Sequence, residues 1–395
     1  MQKIIKIIFK YICYLLFLPF WYLQLCVPRK NKLWIFGAYG GQKYADSPRW
    51  LYEYILEHYP EYKVVWITKN HDIYAKLTHE KKPVAMTFSI KGIKVCLRAS
   101  VLISSHGDGD VNRFFINGIR SIWAWHGMPL KKIQYDDFNL NKQLRDPLRV
   151  ILTKIFAPYN QLPLEKTITS SDFFISFLQS AFNLKSNNSI LKTGLPRCDA
   201  FFSQKMEPII KEIREKFLGC KIIFYMPTFR TSCYGGKMFN PFEEFCFNEF
   251  IFFEKLEKNN FVFLYKPHYF DNISIGLNHE RLVYIKDNDF DDLYVLLKDA
   301  DILMTDYSSV YFDFIVMRKP VILAPFDYEE YLKTARDHYF DYFDNMEGHI
   351  VKTWEEFYNL LEVSEFIPVS KNIINKYCQY NDGNSCKKLF EEINK

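Results

Sequence analysis

From Lys32 onward, short apolar runs alternate with longer stretches in which apolar residues recur at helical spacing. Leu33-Trp34-Ile35-Phe36 is the first run, and the loop Gly37-Ala38-Tyr39-Gly40-Gly41 follows it. Ser47-Pro48 then supplies an N-cap and a first-turn proline for a helix predicted to run through Glu57. Val64-Val65-Trp66-Ile67, Ser100-Val101-Leu102-Ile103 and Ser121-Ile122-Trp123-Ala124 continue the rhythm. It restarts after about residue 205 with Lys221 to Tyr225, Phe261 to Tyr265, Asp301 to Met304 and Pro320 to Leu323. Strands that alternate with helices predict parallel sheets. Two such series, joined near Phe201 to Glu212, predict an α/β chain of two doubly wound domains, 31–205 and 206–395. The final helix is expected to pack back toward the first domain. Ligands of doubly wound sheets sit beyond the carboxyl ends of the strands, so the site is expected in a cleft between the two.

The first thirty residues follow another pattern. In MQKIIKIIFKYICYLLFLPFWYLQLCVPRK, Lys3, Lys6 and Lys10 are interleaved with Ile and Phe, and an apolar aromatic run ends at Pro28-Arg29-Lys30. A cleaved signal peptide wants small residues before its cleavage site, and Trp21, Tyr22 and Leu23 are not small. The apolar run is just short of the roughly 20 residues a spanning helix needs, and Pro19 and Gln24 interrupt it. Basic residues flank it on both sides, so charge gives no orientation for a span. The pattern favours residues 1–30 as a segment lying in the membrane interface, with ammonium groups against anionic headgroups. A buried first helix and a single span are the alternatives.

Composition narrows the class. The 395 residues are 49% hydrophobic and 25% charged, a globular balance with no sign of disorder. A net charge of +5 is too mild to argue for nucleic acid, and no nucleic-acid partner is expected. Nine cysteines without a C-x-x-C pair or a Cys/His cluster at zinc spacing fit reduced thiols in a cytoplasmic protein.

Four polar segments each follow an apolar strand directly. Trp125-His126-Gly127-Met128-Pro129-Leu130-Lys131 offers a histidine whose ordinary pKa suits a general base near neutrality. Met226-Pro227-Thr228-Phe229-Arg230 offers a guanidinium able to clamp a phosphate. Lys266-Pro267-His268 sets two cationic or potentially cationic groups in a rigid turn, suited to a diphosphate leaving group. Thr305-Asp306-Tyr307-Ser308-Ser309-Val310 places hydroxyls and backbone N–H groups at the start of an apolar helix, an anion site. Taken singly, each has an ordinary alternative: a loop histidine, a surface arginine, a chance tripeptide, a helix N-cap. The Asp108 and Asp110 pair in His106-Gly107-Asp108-Gly109-Asp110 is assigned to a loop. No Walker-type loop, G-x-G-x-x-G fingerprint or G-x-S-x-G elbow is present in the sequence.

Taken together and in order, these segments resemble the CDP-glycerol:poly(glycerophosphate) glycerophosphotransferase family of teichoic acid synthesis. The resemblance also covers Thr193-Gly194-Leu195-Pro196-Arg197-Cys198-Asp199, Phe326-Asp327-Tyr328-Glu329-Glu330-Tyr331 and Asn381-Asp382-Gly383-Asn384-Ser385. It implies a GT-B architecture, monotopic attachment at the cytoplasmic face of a bacterial membrane, and transfer from a CDP-alditol. It implies His126 and His268 as the critical histidines. Arg230, Lys266, Thr305, Asp306, Ser308 and Ser309 are expected on the donor, and Gly127 and Lys131 on the acceptor. The expected partners are CDP-glycerol or CDP-ribitol and a lipid-linked polyprenyl-diphosphate glycan. No cofactor or essential divalent metal is expected. The chain is nearer in size to a primase-like or capsule member than to the long polymerases. The alternative is a GT-B glycosyltransferase using a nucleotide sugar.

Overall fold

A computed structural model describes residues 15–137, 150–151, 155–156, 158, 164–228, 230, 240–267, 276–334, 337–363 and 365–395. The apolar runs become strands that start on a polar residue and are buried beyond it. β1 (Lys30–Gly37) and β2 (Lys63–Thr68) are exposed at their lysine ends and buried from Leu33 and Val64 onward. Burial on both faces is what a parallel sheet covered by helices requires. With β3 (Val84–Met86), β4 (Ala99–Ser104), β5 (Arg120–Trp123), β6 (Lys166–Ile168) and β7 (Ile190–Leu191), they form a parallel sheet of order β3-β2-β1-β4-β5-β6-β7.

A second parallel sheet repeats the winding. β8 (Lys221–Met226), β9 (Phe261–Tyr265), β10 (Leu282–Tyr284), β11 (Ile302–Thr305), β12 (Val321–Leu323) and β13 (His349–Ile350) lie in the order β10-β9-β8-β11-β12-β13. The direction in which successive strands are added reverses between β1 and β4, and again between β8 and β11. These are the switch points at which a doubly wound sheet opens a crevice.

Helices start where side chains can satisfy free backbone N–H groups. Asn70 caps His71–His79, Ser89 caps Ile90–Arg98 and Asn248 caps Glu249–Lys258. The helix expected from Ser47 begins one residue earlier, at Asp46, whose carboxylate accepts the Ser47 N–H, and it ends at His58.

The two sheets share one apolar core, in which Trp34, Phe36 and Ile122 join Phe224, Leu303 and Val321. The last helix, Ser385–Asn394, lies against the first sheet: Phe390 stacks on Tyr59 at 3.9 Å and touches Trp34 at 5.5 Å. Asp199 caps that helix, accepting from the Ser385 and Cys386 N–H groups.

Near the N-terminus, residues 15–23 are helical and dock by one face only. Trp21 and Gln24 are buried, Gln24 donates to the Phe114 carbonyl, and Phe17 packs edge-on against Phe114 and Phe115. The other face is apolar and exposed: Leu16 is 76% accessible and Leu23 63%. Among the described residues no helix is long and apolar enough to cross a membrane.

Candidate active site

The loops after β1, β4 and β5 form the lip of the first sheet. Asp110 joins the first two. One carboxylate oxygen accepts the Gly40 N–H at 2.6 Å, and the other accepts the Ser105 and His106 N–H groups at 2.9 and 2.8 Å. Burial pushes this carboxyl above its ordinary range. Two exposed histidines result, His106 after β4 and His126 after β5. Their rings stack nearly parallel, 4.3 Å apart and 7° from coplanar orientation. Trp125 holds φ at 43°, a conformation few side chains adopt, and its ring lies 4.0 Å from that of His126.

Gly127 brings this lip to the second sheet. Its φ is 147°, and a Cβ there would meet the Ser309 Oγ at 2.4 Å. The His126 loop therefore lies directly on the start of the helix Val310–Phe314, which follows β11. Ser308 and Ser309 are half-buried, and Ser309 stands at the N-cap without a side-chain capping bond.

The rest of the Thr305 segment turns inward. The Thr305 hydroxyl donates to the Met226 carbonyl at 2.7 Å, tying β11 to the end of β8. Asp306 accepts the Thr228 and Tyr307 N–H groups and pairs with Arg230 at 2.8 Å. Arg230 is buried, forks onto Asp327 through two 2.8 Å bonds and lies between the rings of Tyr307 and Tyr331. Burial works against its charge, but Asp306 and Asp327 hold its pKa well above the ordinary value. Arg230, Thr305 and Asp306, expected on the donor, are thus brought together as the buried frame of the loop that carries Ser308 and Ser309. The reason is that Asp327, 97 residues on, supplies the second carboxylate.

Lys266 lies at the end of β9, mostly buried, with its ammonium 2.7 Å from Asp287. Asp287 also binds Lys43 from the loop after β1, so one carboxylate holds lysines of both sheets. Burial pulls Asp287 upward, yet the two lysines hold it below the ordinary carboxylate range. Lys131 pairs by its backbone with His338 of the second half, and its ammonium lies 5.8 Å from the Tyr331 ring centre. Burial, then the Lys131 charge, pushes His338 down to about 4. His268 lies outside the described residues.

Sequence reasoning missed His106 as a functional candidate, although it follows β4 as directly as His126 follows β5. It also missed the fully buried Arg197, which pairs with Asp46 and Asp313 at 2.9 Å each. No local pattern announces that triad, because its members are 151 and 116 residues apart. Among the described residues no group of three His, Cys, Asp or Glu is placed to hold a metal ion, and the seven described cysteines are free thiols.

Two parallel doubly wound sheets, with His126, Ser309 and Lys266 following strand ends, give the chain a two-domain α/β fold. Residues 20–395 match the CDP-Glycerol:Poly(glycerophosphate) glycerophosphotransferase family, and the chain belongs to it. It is 26% identical to the teichoic acid poly(glycerol phosphate) polymerase of Bacillus spizizenii, over 93% of each chain. It is 32% identical to the teichoic acid ribitol-phosphate polymerase TarL of Staphylococcus aureus, over 59% of this chain and 42% of TarL. The fold is that of the wall teichoic acid polymerase TagF, with a TM-score of 0.70 at 23% identity over 93% of this chain and 89% of the other. TagF has also been solved after a soak with CDPG. The chain is a glycerophosphotransferase of teichoic acid biosynthesis.

Proposed function

We propose that the chain transfers glycerol phosphate, or the related ribitol phosphate, from a CDP-activated donor to a hydroxyl of a lipid-linked cell-surface polymer, releasing CMP. The observation that carries this reading is the packing of Gly127 on Ser309, which sets an exposed histidine beside the Ser308-Ser309 turn at the opening between two switch points. The two-sheet arrangement supports a GT-B architecture, with residues 31–205 facing the acceptor and 206–395 the donor.

In this mechanism His126 takes the proton of the attacking hydroxyl. The oxygen bonds to the donor's β-phosphorus, the bond from that phosphorus to the bridging oxygen breaks, and CMP leaves with the electron pair. Ser308, Ser309 and the ammonium of Lys266 meet the diphosphate, with His268 beside Lys266 in the chain. Arg230, Thr305 and Asp306 hold that wall in place, while Gly127 and Lys131 line the acceptor side. Cationic side chains take the charge that a divalent ion would otherwise neutralise, so no metal is required. The exposed apolar face of residues 15–25 lies in the cytoplasmic leaflet, bringing the lipid-linked polyprenyl-diphosphate glycan to the opening.

The test is CMP release from CDP-glycerol and CDP-ribitol by purified protein, with lipid-linked disaccharide acceptors, vesicles and EDTA. Release should require acceptor, survive EDTA and fall about 10²–10⁴-fold in His126→Ala with donor binding retained. Silence with both donors alongside turnover of a UDP- or GDP-sugar would reject the reading in favour of nucleotide-sugar transfer.

A further inference from the structure

His106 and His126 belong to a column of four rings laid across the ends of three neighbouring strands. Tyr39, after β1, meets His106 at 4.5 Å; His106 meets His126 at 4.3 Å; His126 meets Trp125 at 4.0 Å. His106 is held by its own loop. Its backbone N–H donates to Asp110 at 2.8 Å, and its Nδ1 lies 2.8 Å from the Ser105 Oγ. Ser105 is itself held, because its hydroxyl is 3.4 Å from Asp110 and accepts the Tyr39 N–H at 3.3 Å. A carboxylate buried between the loops after β1 and β4 thus fixes the Ser105 hydroxyl and one face of a ring pair.

Burial does not explain the pair, since both histidines are exposed. The terminal torsion of a histidine is broad and roughly two-fold, so packing sets the plane of its ring. Geometry comes before pKa in general-base catalysis. A parallel ring 4.3 Å away fixes the plane in which the His126 ring lies.

We propose that His106 is a positioning residue: its ring face holds the imidazole of His126 in the orientation that accepts the acceptor's proton. The proposal rests on the assignment of His126 as the base. It differs from a substrate contact in that the ring face of His106, not a nitrogen, performs the task. Any planar ring at this position should therefore substitute for it.

The experiment compares His106→Ala and His106→Phe with the parent in CMP release, with thermal unfolding run in parallel. His106→Ala should lower kcat about 10- to 100-fold, the scale of a misplaced catalytic group, with KM for the CDP-donor unchanged. His106→Phe should restore most of the turnover. Unchanged kcat in His106→Ala would overturn the proposal. So would a Phe variant as impaired as Ala, which would give the task to a nitrogen, or a rise in KM alone, which would make His106 a substrate contact. An NMR arm needs no turnover. In protein with carbon-labelled histidine, the His126 signal is identified by its loss in His126→Ala. It should shift in His106→Ala and move back toward the parent position in His106→Phe, and an unmoved signal would also overturn the proposal. A parent protein that releases no CMP from either donor would reject the transfer reading, while the ring signals still decide whether His106 orients His126.

Discussion

At Gly127 an added Cβ would lie 2.4 Å from the Ser309 hydroxyl and 2.9 Å from its Cβ, and φ there is 147°. Neither neighbour is the far end of a flexible chain, so the helix start or the histidine loop has to move. We expect Gly127→Ala to cost about 1–3 kcal/mol of stability, from strain and displaced packing together. Turnover should fall as well, because His126 is the next residue. Adding Ser309→Gly removes the clash but not the backbone strain, so it should recover part of the stability, measured by urea unfolding. A Gly127→Ala protein as stable and active as the parent would mean that the two loops do not approach this closely. Arg230 shows the converse principle. A guanidinium this deeply buried is tolerated only because two carboxylates and the Thr228 carbonyl receive its N–H groups. A residue type suited to phosphate serves here to stiffen the loop that carries Ser308 and Ser309.

Among the elements, Asp199 has the most defined task. It closes the helix Ser385–Asn394 from 186 residues away, while Asn381 accepts the Leu195 N–H at 2.8 Å. The Thr193–Asp199 and Asn381–Ser385 segments were recognised separately in the sequence, and in the fold they are two sides of one contact. Asp199→Ala should cost about 0.5–2 kcal/mol, the value of a lost N-cap, and amide exchange at Ser385 and Cys386 should speed up. Exchange rates that stay at the parent level would show the helix start to be held by something else. The strands that patterning found have four residues or more, apart from the fully buried three-residue β12, and in each a buried apolar run is visible. β3, β6, β7, β10 and β13 are two or three residues long, too short for any period to register. The candidate site was legible to a similar depth. The strand-end rule picked out His126, Lys266 and Ser308-Ser309 as candidates because each directly follows a buried apolar run. It could not separate an arginine facing the cleft from one facing Asp327, since the deciding partner is remote in sequence. His106 was within its reach, since it follows β4 directly.

For the whole molecule, polar bridges and apolar faces do different jobs. Lys43 and Lys266 share Asp287, and Arg49 and Lys76 share Asp291, so carboxylates of the second half hold lysines and an arginine of the first at two places. The face formed by residues 15–25 is apolar instead. Trp21 and Gln24 fasten it to the first half, which leaves Leu16, Leu23 and Leu25 between 61% and 76% exposed. Exposed leucines this close together are rare on a surface meant only for water. The proposed interfacial role gives them an apolar partner, and the lysines at positions 3, 6 and 10 suit an anionic headgroup layer above it. Replacing Leu16, Leu23 and Leu25 by serine should leave folding within about 0.5 kcal/mol of the parent, since these side chains are exposed. Each leucine inserted into the acyl boundary is worth about 1.5 kcal/mol or more, so the triple variant should bind anionic vesicles at least about a hundredfold more weakly. Turnover of a water-soluble acceptor analogue should persist, because the site lies at the strand ends and not on this face. Vesicle binding that survives the three substitutions would sink the interfacial role of the segment. Loss of turnover on the soluble analogue would instead tie the segment to the fold of the first half.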